Sequence, residues 1–352
     1  MAGTQRCNFK FDDGTVVKGK QLYVSFCFIA LTLLASLRAK SVGVDTALYS
    51  RIFTRISLYE SSWYAITHDS VSAPLYIAFC RLLSFISKDP QILTVFSAVF
   101  INIFLLLFIK KTSEDYAASY LSWIGLTLLY CSMNGTRQCM ALVLIINAIV
   151  ILSENMKSFK GWFLWIAAIG LHATTLFTAP AIIGILAAKK FEHKKILFGV
   201  SLAAGAVAAF TYKGLIFLAI KLVPKYAMYT TGNATFSILK GSGGGRIVFL
   251  YIFLLGIVYL FVRNEDTDGF SFLIMPALSF GLAFGIINCQ NELVNRMIWY
   301  YLALFLPFIP SATKDSKLLR IGIISMLLLY SIISLLEHQN GVVPYVAFWN
   351  YV

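Results

Sequence analysis

The sequence predicts an all-α, polytopic membrane bundle, and three observations carry that expectation. Of the 352 residues, 59% are hydrophobic and only 13% are charged, against roughly 25% charged in ordinary soluble domains. Apolar runs close to the ~20 residues that a spanning helix needs recur from residue 22 to residue 336. The breaks between them are short, and many are rich in Lys and Arg. Lipid is therefore the main solvent, and no soluble domain of any size fits in what remains. Residues 1–20 are polar and basic, without the apolar core and cleavage site of a removable signal peptide. A basic cytoplasmic tail is thus expected ahead of a single transmembrane domain over residues 21–352.

Taken in order, spanning helices are predicted over residues 22–37, 92–109, 116–133, 139–152, 196–212, 247–262, 270–287, 297–310 and 318–336. With shorter pieces the total comes to roughly 10–12 transmembrane or re-entrant helices. Residues 74–87 are too few for a span and include Arg81, which suits an interfacial or re-entrant helix. Residues 161–188 lie between two basic flanks, so they cross an even number of times, yet they are too few for two ordinary spans. We read them as a hairpin of two short helices turning near His172; the competing reading is one long span with a local inversion of the charge rule. Irregular backbone at that depth survives only where protein or a water-filled cavity surrounds it.

Lys and Arg favour cytoplasmic loops. Lys110, Lys111, Lys157, Lys160, the run at 189–195, Arg263, Lys314 and Lys317 mark that side. The segments 38–73, 133–138, 213–246 and 288–296 then share the outer face. The net charge of +13 resides in these membrane-flanking loops, and no nucleic-acid partner is expected. The six cysteines form no CxxC pair and no metal-like spacing with His, so they read as buried inert thiols. No metal or other cofactor is expected.

A few polar residues interrupt the apolar runs. Arg137 stands within Asn134-Gly-Thr-Arg-Gln138. An isolated arginine at a helix end often snorkels to the headgroups. A cluster of hydrogen-bonding residues points instead to an enclosed polar site, since intramembrane charge usually faces a bundle interior or cavity. Guanidinium also binds phosphate oxygens in pairs. His172 interrupts a stretch otherwise free of ionisable groups. Arg296 follows Glu292 and Asn295 and precedes Tyr300, opening a helix from the outer face as Arg137 does. Asp45 follows a glycine turn soon after the first span, where it suits an N-cap. The 213–246 loop carries Lys213, Lys221, Lys225, Lys240 and Arg246 without an acid, a composition that concentrates anions above a cavity.

Four patterns occur in order: R-x4-G-x-D-x3-Y (Arg38, Gly43, Asp45, Tyr49), N-x2-RQ-x2-A (Asn134, Arg137, Gln138, Ala141), W-x4-A-x4-H (Trp162, Ala167, His172) and N-R-x3-Y (Asn295, Arg296, Tyr300). Together they resemble the EpsG-like, Wzy-type membrane proteins that polymerise exopolysaccharide, capsule or O-antigen repeat units. The resemblance implies a GT-C-like helical architecture in the bacterial cytoplasmic membrane, with the active site facing the periplasm or cell exterior. It implies transfer of a growing glycan from undecaprenyl diphosphate to a sugar hydroxyl on a second lipid-linked oligosaccharide, without a metal. Membrane lipids, a chain-length regulator and a flippase are the partners it suggests. On that reading Arg137 and Arg296 hold diphosphate oxygens, and His172 or Asp45 takes or orients the acceptor proton. Asn134, Gln138, Arg38, Tyr49, Lys221, Lys225, Glu292, Asn295 and Tyr300 contribute to substrate binding.

Two other classes compete. A different lipid-linked-sugar glycosyltransferase, ligase or acyltransferase would commonly use adjacent acids in the first outer loop, where Asp45, Glu60 and Asp69 stand singly. A transporter would use Arg137 and His172 as a substrate or proton relay, but transporters often carry internal repeats and the sequence shows none.

Overall fold

The computed structural model describes residues 8–10, 16–69, 71, 73–222, 245–264 and 269–350. Among them are sixteen α-helices, with seven long and apolar enough to cross a membrane and an eighth if one bent pair counts as a span. The seven are α1 (Gly19–Ser36), α5 (Gln91–Thr112), α8 (Thr136–Glu154), α11 (Lys194–Leu222, its first part), α12 (Gly245–Arg263), α13 (Gly269–Ile287) and α16 (Lys317–Leu336). Each coincides with a predicted span. The departures from all-α structure among the described residues are a small antiparallel pair, β1 (Asn8–Lys10) with β2 (Val16–Lys18), in the basic tail, and an isolated antiparallel bridge between Arg38 and Ala347.

Two predicted spans are broken. Residues 116–133 form α6 (Tyr116–Gly125) and α7 (Leu128–Asn134), separated by Thr127 in the left-handed region at φ 60°. Gly125 approaches α16 so closely that an added Cβ would lie 2.7 Å from the Leu327 Cβ. Residues 297–310 belong to α14 (Glu292–Leu302) and α15 (Phe305–Ala312), bent by 55°. Pro307 has no N–H for the carbonyl four residues back and its ring crowds that carbonyl, which places the break at Ala303–Leu304. The outer segments also carry more helix than loop reading suggested. Segment 38–73 contains α2 (Thr46–Ser57) and α3 (Ser62–His68), α11 extends to Leu222, and α14 already starts at Glu292.

The two ambiguous stretches resolve as short elements. α4 (Pro74–Ser84) opens with Pro at its first turn, where the missing N–H costs nothing. In 161–188 the chain breaks at His172, between α9 (Phe159–Leu171) and α10 (Ala179–Lys190), with a 3-10 turn at Ala173–Thr178. The predicted turning point is therefore where the helix ends.

Contacts divide the chain into two compact units, 1–176 with 313–352, and 177–312. In the first, α8 is the most enclosed long span and packs on α5 and α9. Apolar faces have no hydrophobic reason to prefer each other over lipid, so close approach at small residues decides such packing. α9 meets α4 in this way, with Gly170 against Leu75. The second unit is built around α13, where Gly281 and Gly285 let the rings of Tyr301 and Tyr251 lie against its backbone.

The first unit has two distinguishable ends. At one, Lys20 lies 4.0 Å from the Tyr116 ring, Arg320 pairs with Asp115 at 3.0 Å, and Lys111 pairs with Glu154 at 2.7 Å. At the other, Gln91 Nε2 donates to the Ser36 carbonyl at 2.7 Å and the Ala39 N–H donates to the Val346 carbonyl at 2.8 Å. The polar cluster lies at this second end.

Candidate functional site

The NGTRQ stretch is the junction of two helices. α7 stops at Asn134, Gly135 caps both helices, and α8 begins at Thr136, so Arg137 and Gln138 lie in its first turn. N–H groups in a first turn lack helical acceptors, and the aligned peptide dipoles leave partial positive charge there. A cation in that turn is unfavourable by itself, and no acid stands in the first turn of α8 to offset it.

Arg137 is held over the fully buried Tyr76 of α4, its guanidinium carbon 5.6 Å from the ring centre. Tyr49 of α2 packs edge-on against the same ring, centroids 6.1 Å apart. The Arg137 Nε is buried and has no hydrogen-bond partner among the described residues. Beside it, Arg38 is 2% exposed and donates from one nitrogen to the Ala35 carbonyl and from another, at 3.1 Å, to Thr136 Oγ1. Burial pulls the Arg38 guanidinium down to about 10, so it stays protonated at neutral pH. Arg38, Thr46, Tyr49, Tyr76 and Thr136 line a narrow cleft with about 10 Å³ of room, about one water.

The loop after α1 is clamped onto the same junction. Asp45 holds the N-cap position of α2, yet its side chain makes no capping bond. Its N–H donates to Asn134 Oδ1 at 2.8 Å, and Thr46 Oγ1 donates to the Met133 carbonyl at 3.1 Å. Gly43 takes φ 90°, and an added Cβ would strike the Met133 carbonyl. Glycine is needed there on both counts. Arg38, Asp45, Tyr49, Asn134, Arg137 and the buried Gln138 thus meet in one region of the first unit.

His172 is the C-cap of α9, in extended conformation. Its Nδ1 lies 2.7 Å from Thr174 Oγ1 and accepts the Thr174 N–H at 3.4 Å, while its carbonyl accepts from Thr175. An acceptor role for Nδ1 puts the proton of the neutral ring on Nε2. α4 connects the two regions, with Leu75 against Gly170 of α9 and Tyr76 beneath Arg137.

The other predicted residues belong to the second unit, on α14. Arg296 Nε donates to Glu292 Oε1 at 3.3 Å, and its guanidinium lies 5.7 Å from the Trp299 ring. Asn295 donates to the Cys289 carbonyl and accepts from the Tyr251 hydroxyl, and Tyr300 is buried. Lys225 and Lys240 lie outside the described residues, and only the helical backbone of Lys221 is described.

The single acids of the first outer loop are not equivalent. Asp69 receives two bonds from Arg55, both 2.9 Å, one from the Tyr59 hydroxyl and one from the Val71 N–H. Burial raises its carboxyl, but these donors outweigh burial and hold it below the usual carboxylate range. Arg81, also buried, donates to the Ile56 and Ser57 carbonyls at the end of α2, where positive charge complements the helix dipole. Among the described residues no three His, Cys, Asp or Glu side chains come together as a metal site.

Sequence reasoning missed Tyr76 and Asn340. Asn340, after α16, accepts from Asn134 Nδ2 at 3.1 Å. Tyr76 reads as one more aromatic in an apolar helix, and Asn340 as a polar loop residue. Among known families, the model described as the EpsG family matches residues 21–347. No curated protein and no solved structure matches the chain.

Proposed function

The chain belongs to the EpsG family of Wzy-like polysaccharide polymerases, and from that premise we propose that it joins lipid-diphosphate-linked oligosaccharide units at the outer face of the bacterial cytoplasmic membrane. The donor is a glycan on undecaprenyl diphosphate, and the acceptor is a sugar hydroxyl on a second lipid-linked unit. The bond from the anomeric carbon to the diphosphate oxygen breaks, a bond from that carbon to the acceptor oxygen forms, and the hydroxyl proton leaves. Glycosyl diphosphate is already activated. The protein supplies charge stabilisation for the leaving group, orientation of two membrane-held sugars, and a proton acceptor.

One observation carries this reading: Arg137 sits in the first turn of α8, with a buried Nε that no described residue satisfies, next to Arg38, which is itself buried. Positive charge from two guanidinium groups and a helix start suits a diphosphate. Arg137, with Arg38 next to it, holds its oxygens without a metal. His172, with the proton on Nε2, donates to the leaving oxygen, and Asp45 takes the acceptor proton. Tyr49, Asn134 and Gln138 line the path of the sugars. Lys221 and Lys225 draw in the anionic lipid.

Purified protein incubated with lipid-diphosphate-linked repeat units tests the proposal. A ladder of products lengthening by whole units is expected. Transfer of one unit without a ladder would make the protein a ligase, and folded protein without any product would overturn glycosyl transfer.

A further inference from the structure

We propose that Asn340 is a positioning residue for this site, fixing the amide of Asn134 and through it tying Asp45 to the helix start that bears Arg137. The proposal deepens the functional reading above and rests on it for the meaning of the site.

The observation is a relay of two side-chain amides. Asn134 uses both ends of its amide in opposite senses, accepting from the Asp45 N–H at Oδ1 and donating from Nδ2 to Asn340 Oδ1. A flipped amide would lose its bond to the Asp45 N–H, which can only donate, and the Asn340 oxygen holds the other end of the amide in that same orientation. Asn340 itself lies in the left-handed region at φ 64°, within a reversal that also holds His338 at φ 54° and Gly341 at φ 61°. Asn tolerates that conformation better than most residues. The reversal turns the chain leaving α16 back onto the loop after α1.

The rest of that segment is fastened without the Asn340 side chain. The Gly43 N–H donates to the Gly341 carbonyl at 2.7 Å, and the Val44 N–H to the Asn340 carbonyl at 3.2 Å. Farther on, Ala39 donates to Val346, Phe348 to Leu37, and the Tyr345 hydroxyl to the Leu34 carbonyl. Truncating the side chain therefore leaves these backbone bonds in place, removes the acceptor for Asn134 and adds the modest cost of alanine at a left-handed φ, a cost that Asn340→Asp largely avoids. The consequence of truncation is positional: with one end of its amide unheld Asn134 turns more freely, its bond to the Asp45 N–H weakens, and the acid drifts relative to Arg137.

The experiment compares Asn340→Ala and Asn340→Asp in the full-length purified protein. The aspartate keeps an acceptor oxygen at the same place. Asn340→Ala should lower kcat for polymerisation about tenfold with KM within about twofold, since small misplacements of a catalytic group are costly. Asn340→Asp should recover most of the rate, and both variants should melt within a few degrees of wild type. Amide hydrogen exchange of a peptide covering Asp45 should rise in Asn340→Ala and return in Asn340→Asp. Unchanged exchange at Asp45 overturns the proposal whatever the activity. So does wild-type turnover in Asn340→Ala, or a rate loss that merely follows the melting temperature. A wild type that makes no polymer refutes the functional reading instead, and the exchange measurement still decides the role of Asn340.

Discussion

A guanidinium that only snorkels can be replaced by an ammonium, because both reach the headgroups on a flexible stem. One that holds a diphosphate by its planar fork cannot. Arg137 has a buried Nε without a hydrogen bond and an aromatic ring beneath it, a setting that a point charge does not need. Arg137→Lys should therefore leave a well-inserted, normally abundant protein that makes little polymer. Removal of one preorganised donor costs about 2–4 kcal/mol in the transition state, on the order of a hundredfold or more in rate. Chain-length analysis at matched expression checks this, and near-normal polymer would return Arg137 to snorkelling. At this scale the sequence was informative where polarity interrupts grease: Arg38, Asp45, Tyr49, Asn134 and Gln138 come together around Arg137. Tyr76 and Asn340 were illegible, because their importance lies in which side chain each touches, and composition carries no record of that.

Among the elements, α2 and α3 form the outer segment that carries Tyr49, and a charge holds them together. Asp69, at the end of α3, is paired with Arg55 near the end of α2. The Asp69 carboxyl is held below its usual range, so its stabilisation is fully present above the unfolded value of roughly 3.9 and is lost as pH falls through the folded one. Lowering the pH from 6 to 3 should reduce the protection of amides across residues 46–68 relative to their intrinsic exchange rates, and Asp69→Asn should lower protection at pH 6 and flatten its pH response. An Asp69→Asn protein that exchanges like wild type at pH 6 would make the pair decorative, as most exposed ion pairs are. The seven long spans were legible as elements because twenty apolar residues in a row have one ready solution in lipid. The two broken spans were not. Hydropathy averages across Thr127 and Pro307, whereas the break is made by one left-handed residue or one missing N–H.

For the whole molecule, the remaining question is which end of the first unit faces which compartment. Basic residues bias loops toward the cytoplasm, and the contacts gather Lys20, Lys111 and Arg320 with their partners at one end of that unit. The loop after α1, the start of α8 and the segment after α16 gather at the other. The division into two compact units had left no mark in composition, since the boundary after residue 176 falls inside an apolar stretch. Charge placement was legible, because it depends only on which loops carry Lys and Arg. Two exposed positions report the ends separately, Ser41 in the loop after α1 and Lys157 between α8 and α9. In a variant without native cysteines that still makes polymer, a membrane-impermeant maleimide applied to intact spheroplasts should label Ser41→Cys. Lys157→Cys should label only after permeabilisation. The reverse pattern would put Arg137 and Asp45 on the cytoplasmic side. Polymerisation at the outer face would then fall, even if the purified protein still built a ladder.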